Sequence, residues 1–216
     1  MIVFLGLPKT GSTWIYRNLK FNKFLNIPDV KENVKEPHVF NNQCYFTEQD
    51  VKRTVDFTTQ NWSMDSGLAR QLDKYVDKYL YIVRNPLDLV KSWHNWTIEG
   101  QNFEDTQLLT TRSGLCCIGS ILERWHHLVR KDKIVVDLYE NLKQNQEEFF
   151  KKICKDLSIP FDKIHEPQYI NRTPRVLQKP VYTKQFLHYA IEETEKFEDL
   201  TGINTGYLDT IHKEME

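Results

Sequence analysis

Apolar residues along this chain either cluster in short continuous runs or recur every three or four positions. The runs "IVFLG" at the start, "KYLYIVR" (78–84) and "KIVVDLY" (133–139) are rich in β-branched and aromatic residues. Continuous apolar runs of that length suit strands buried on both faces. "TVDFT" (54–58) reads as a shorter strand. Between the runs the period changes. Trp14, Ile15, Leu19 and Phe21 stand at helical spacing directly after the first strand. "SMDSGLARQLDKYV" opens on a serine and an early acid, as helices do. "NP" after the 78–84 run is a turn signal, and a helix from Pro86 through "LDLVKSWHNW" follows, since proline suits a first helical turn. "GSILERWHHLV" is helical, and "ENLKQNQEEFFKKICKDLSI" predicts one long amphipathic helix stopped by Pro160. The last helix, "TKQFLHYAIEETEKFEDLTG", ends near Gly202. Residues 99–112 and the basic, proline-broken stretch 172–182 read as loops. Strands alternating with helices predict an α/β fold: three layers, α/β/α, around a central parallel sheet of four to five strands with right-handed crossovers.

Composition narrows the picture. The 216 residues show no compositional break and suit one domain over 1–216. A formal net charge of -1 excludes nucleic-acid binding by bulk electrostatics, so any anion site must be built locally. Cys44, Cys116, Cys117 and Cys154 lack zinc spacing and read as reduced thiols. No apolar run approaches a membrane span, and "MIVFLGLP" has no basic leader, so the expected location is the cytoplasm. The sequence is silent on oligomeric state.

Chemistry enters with "GLPKTGST" (6–13), a P-loop-like segment between a strand and a helix. Gly6 and Gly11 keep the spacing of G-x-x-x-x-G-K-[ST], but Ser12 occupies the lysine position and Lys9 lies inside the loop. Loop amides and a helix N-terminus converge on an anion, while Ser12 and Thr13 add hydroxyl donors. A nucleotide kinase needs Mg²⁺ and a lysine on the outer phosphates. A sulfuryl group carries less charge, so one lysine at the loop's crest, aimed at the leaving oxygen, suffices without a metal. Lys9 therefore suits a phosphosulfate donor better than a triphosphate.

These residues carry a resemblance. "LGLPKTGSTW" resembles the 5′-phosphosulfate loop, P-K-[TS]-G-[ST]-[ST]-W/L, of sulfotransferases that use 3′-phosphoadenosine 5′-phosphosulfate. The resemblance implies that Pro8, Lys9, Thr10, Gly11, Ser12, Thr13 and Trp14 bind this donor, with Lys9 on the transferring group. "YIVRNPLDLVKSWHNW" is similar to the same family's 3′-phosphate motif, with Arg84 and Ser92 eight residues apart. Arg84 offers a planar fork for phosphate at a strand's carboxyl end; Asp88 is expected to cap or anchor the following helix. "KIVVDLYENLKQN" resembles the family's fourth strand and next helix, with Asn141 where Tyr-Glu-Asp-Leu has aspartate. These are scaffold matches.

On the acceptor side, "VKEPHVF" (34–40) is similar to the Lys-Glu-x-x-[FY]-Phe segment of heparan-type and bacterial carbohydrate sulfotransferases, where glutamate is the base. Glu36 is the favoured base and His38 the alternative, with Lys35 and Lys9 keeping the carboxylate ionised. Lys35 also assists on the sulfuryl oxygens. Arg172 and Arg175, with Lys179, replace the family's missing donor loop or form a solvated basic loop. "VDFTTQNW" (55–62) resembles Asp-x-[ST]-Pro-x-Tyr with Thr59 for proline. The implied reaction moves a sulfuryl group, by in-line displacement, to a hydroxyl or amine on a carbohydrate-like or other small acceptor. Two other readings stay open: a P-loop nucleotide kinase, with Asp137 as the nearest metal-holding acid, and a non-catalytic nucleotide-binding module.

Overall fold

The four apolar runs become the strands of one parallel sheet. The computed structural model describes residues 1–25, 55–98, 116–165 and 181–216. Among them β1 (Ile2–Phe4), β2 (Val55–Asp56), β3 (Lys78–Val83) and β4 (Ile134–Leu138) pair in the order β2-β1-β3-β4. Phe4 stands opposite Leu80, and Leu80 opposite Val135. Every residue of β1, and all of β3 except Lys78, is buried, which is why the sequence shows no alternation there. β2 is shorter than the 54–58 run because the Asp56 carboxylate accepts the Thr58 N–H (2.9 Å) and turns the chain.

The described helices are α1 (Ser12–Lys20), α2 (Ser66–Leu72), α3 (Pro86–Ile98), α4 (Ile118–Leu128), α5 (Tyr139–Gln144), α6 (Gln146–Asp156), α7 (Lys184–Thr201) and α8 (Tyr207–Met215). Two differ from the sequence pattern. The single helix expected after β4 is split at Asn145, whose backbone is extended (φ -151°) and whose side chain accepts the Glu148 N–H at 3.2 Å. Asparagine competes well for a helix start, so a cap wins over continuity. α8 was not expected; left-handed Gly202 and Gly206 turn the chain so that it folds back on α7.

The chain forms two compact units, Met1–Val83 with His126–Ile170 and Arg84–Trp125 with Asn171–Glu216. The first holds the sheet. On one face Ile2, Phe4, Leu80, Ile82 and Val135 meet Trp14, Ile15 and Leu19 of α1 and Phe149, Phe150 and Ile153 of α6. Phe57, just past β2, stacks on Phe4 at 5.0 Å; such a pair contributes about 0.5–1.5 kcal/mol beyond its buried area. Within the second unit α4 and α7 are in contact: a Cβ on Gly119 would lie 2.6 Å from the Glu193 carbonyl oxygen. The buried Glu193 carboxylate accepts the Ser120 N–H (2.7 Å), so a carboxylate from α7 answers an amide in the first turn of α4.

Candidate functional site

The loop after β1 is built by close approach. Leu5 still bonds to the Leu80 carbonyl (2.8 Å), and a Cβ on Gly6 would stand 3.0 Å from the Ile82 carbonyl and closer still to the Phe4 ring. Lys9 is left-handed (φ 69°), a conformation that costs a non-glycine residue about 1–2 kcal/mol. Gly11 is left-handed as well (φ 83°) and starts α1. Between them Thr10 is buried, its hydroxyl donating to the Leu7 carbonyl (2.7 Å), so its backbone amide is what it can offer a ligand. The first helical bond runs from the Ile15 N–H to the Gly11 carbonyl (3.1 Å). The amides of Ser12, Thr13 and Trp14 therefore precede it, at the positive end of the helix. Pro8, Lys9 and Thr13 are half-buried and Ser12 is buried. The Trp14 indole lies in the core, edge-on to Phe150 at 5.7 Å, so it too contributes backbone rather than ring.

The loop rests on a floor that sequence reasoning took only as scaffold. A Cβ on Gly11 would lie 2.8 Å from Leu142 Cδ2 and 3.2 Å from the Tyr139 ring. Both belong to α5, in the Tyr-Glu-Asn-Leu match, which was the only sequence signal for them. Asp137, in β4, ties α5 down: its Oδ1 accepts the Leu138 N–H (2.7 Å) and the Asn141 amide (2.7 Å), and its Oδ2 pairs with Lys152 at 2.8 Å. The acid that a nucleotide kinase would need for magnesium is thus occupied by three protein donors. Among the described residues no group of three His, Cys, Asp or Glu could hold a metal. Cys44 lies outside the described residues; the three described cysteines are poor nucleophiles, burial pushing Cys116 and Cys154 up to about 12 and Cys117 to about 11.

Arg84 directly follows β3 and is half-buried. Next to it Asn85 caps α3, its Oδ1 accepting the Leu87 N–H (2.9 Å) while its carbonyl accepts the Leu89 N–H (2.9 Å). Pro86 is the first helical residue. Asp88, expected to cap or anchor this helix, stands in its first turn, where a negative charge suits the helix end; the capping itself falls to Asn85, one residue before the proline. Ser92 is half-buried, two turns into α3. In the order β2-β1-β3-β4 the chain reverses direction between β1 and β3. Open parallel sheets bind ligands at the carboxyl ends of strands flanking such a switch point. The glycine loop follows β1, one of the two strands that flank this point.

Asp56 is buried, its Oδ1 also accepting the Asn61 amide (3.1 Å), so this part of "VDFTTQNW" locks a turn. Lys35, Glu36, His38, Arg172, Arg175 and Lys179 lie outside the described residues.

The model of the sulfotransferase domain family matches residues 1–179. The chain belongs to that family. No curated protein matches it. Among solved structures it is similar to a sulfotransferase from Alicyclobacillus acidocaldarius, with a TM-score of 0.66 and 15% identity over 96% of this chain and 98% of that one. It also resembles mouse sulfotransferase SULT7A1 complexed with PAP (TM-score 0.54, 17% identity, 98% and 88% covered). A third is the sulfotransferase domain from the curacin biosynthetic pathway (TM-score 0.51, 15% identity, 100% and 96% covered). At these identities the likeness shows the fold. In this sulfotransferase domain, no helix among the described residues is long and apolar enough to cross a membrane.

Proposed function

We propose that the whole chain acts as one sulfotransferase domain, taking its sulfuryl group from 3′-phosphoadenosine 5′-phosphosulfate and passing it to a hydroxyl or amine of a carbohydrate-like acceptor. The observation that carries this reading is Lys9, held left-handed at the crest of a loop that ends on the N-terminus of α1. A strained non-glycine residue persists where its placement is needed. Gly6 and Gly11 support the reading by letting the loop pack against Phe4 and Ile82 on one side and Tyr139 and Leu142 on the other, which a Cβ at either position would prevent.

The donor supplies the sulfuryl group and a phosphate leaving group. The backbone amides of residues 10–14 and the Ser12 and Thr13 hydroxyls hold its 5′ side, as amides at a helix N-terminus hold other anions. Arg84 and Ser92 take the 3′-phosphate, the guanidinium through paired N–H donors. As the sulfur–oxygen bond to phosphate breaks, its electron pair moves to the departing oxygen, and the Lys9 ammonium stabilises that charge. A base removes the acceptor's proton as its oxygen or nitrogen bonds to sulfur; Glu36 is favoured and His38 is the alternative, with Lys35 on the sulfuryl oxygens. Arg172 and Arg175 are further donor-binding residues in this reading. Cys116, Cys117 and Cys154, read as reduced thiols, suit a reducing compartment, the cytoplasm.

Thermal unfolding with 3′,5′-adenosine bisphosphate tests the donor assignment. Ligand at a hundred times its Kd stabilises a binding protein by about 2.7 kcal/mol. A melting temperature unmoved at millimolar bisphosphate would remove the reading.

A further inference from the structure

We propose that Asn141 is a positioning residue for the phosphate loop, acting through the α5 floor beneath Gly11. The proposal rests on the sulfotransferase reading above. Its geometry is short and direct. Gly11 has no room beneath it, because Leu142 Cδ2 and the Tyr139 ring already occupy the space a Cβ would take. Leu142 is fully buried and Tyr139 packs against the same core, so the floor cannot sink to make room. Its height is set by how α5 is fastened to β4.

Asn141 is the fastening. Its Nδ2 donates to Asp137 Oδ1 at 2.7 Å, and the same oxygen accepts the Leu138 N–H where strand becomes helix. Asp137 is only 3% exposed. A buried carboxylate needs each of its donors, and losing one leaves it incompletely solvated. Lys152 holds the other oxygen (2.8 Å) but comes from α6 and is itself shared with Asp156 (3.0 Å). The Asn141 amide is therefore the one side-chain donor that ties the first turn of α5 to this carboxylate. An aspartate at position 141 would set two carboxylates against each other, and repulsion would lift the turn carrying Tyr139 and Leu142 into the loop.

The test uses the full chain with Asn141→Asp, alone and combined with Asp137→Asn. Binding of 3′,5′-adenosine bisphosphate is measured by titration, and loop order by hydrogen exchange at the amides of residues 11–14. Asn141→Asp should weaken bisphosphate binding at least tenfold at neutral pH and speed exchange at those amides, with α3 unaffected. Acidification should relieve the defect. The double variant restores an amide facing a carboxylate with the roles exchanged, and should recover most of the affinity and protection. Wild-type binding and exchange in the single variant would overturn the proposal, as would a double variant no better than the single one. Failure of the wild-type chain to bind the bisphosphate would instead defeat the sulfotransferase reading, and exchange at residues 11–14 would still decide the role of Asn141.

Discussion

The loop at residues 6–13 and the turn at Arg84–Asn85–Pro86 follow neighbouring strands, yet they are held by different physics. The loop has little side-chain capping: no side chain caps α1, and its shape comes from two left-handed residues, close backbone approach and a floor more than 120 residues further along the chain. The turn is self-contained. Asn85 supplies the cap, Pro86 the fixed first torsion, and both directly follow the arginine in sequence. A site element fastened by distant packing tolerates few changes in many places. One fastened by its own neighbours tolerates many changes outside three residues.

The largest effect should come from Lys9. Lys9→Ala should lower kcat on the order of 10²–10³-fold, the usual cost of losing one donor to a developing oxyanion. Lys9→Gly should be equally inactive and yet more stable, by up to about 1 kcal/mol, because glycine adopts a left-handed torsion without strain. Activity assay and thermal unfolding on the two variants check this together. A Lys9→Gly chain less stable than Lys9→Ala would mean the loop stores no strain.

Gly11→Ala comes next. The torsional cost of about 1–2 kcal/mol is joined by a collision with Leu142 and Tyr139, so a loss of at least about 2 kcal/mol is expected by denaturant unfolding. Gly202→Ala is the internal control. Its φ is also left-handed (70°), but nothing lies within 4 Å of the new Cβ, so only the torsional part should appear. Equal losses at the two glycines would dissolve the contrast between packed loop and local turn.

The same contrast explains what could be read from the sequence. The four strands, the loop glycines, the Arg84–Ser92 spacing and the family resemblance were all legible, because each depends on local pattern or on residues within about ten positions. The break at Asn145 and the early end of β2 at Asp56 were missed because a side chain there captures a nearby amide, which apolar periodicity does not register. The left-handed torsion of Lys9 leaves no trace in residue type. Tyr139 and Leu142 were visible only as scaffold, since nothing in a one-dimensional pattern brings position 142 under position 11.

A smaller effect belongs to the turn. Asn85→Ala removes the α3 cap and should cost about 1 kcal/mol, measured by unfolding. Because the cap is an uncharged amide, that decrement should be the same at every pH. The loop's floor should behave otherwise. Burial alone would lower the pKa of Lys152, but its hydrogen bonds and charge pairing with Asp137 and Asp156 outweigh this and raise it. A raised folded-state value means the ion pairing contributes fully below the ordinary lysine pKa of about 10.4 and is lost as pH rises through the folded value. Unfolding of Lys152→Met and wild type should therefore differ by a constant amount from neutral pH to about 10 and converge above it. The side chain is half exposed, so the difference will be small. Its pH profile separates the two regions even so: an alkaline limb in the Lys152→Met comparison and none in Asn85→Ala would tie the loop's footing to a charge. An alkaline limb in both would place the titration elsewhere and remove the electrostatic half of the contrast.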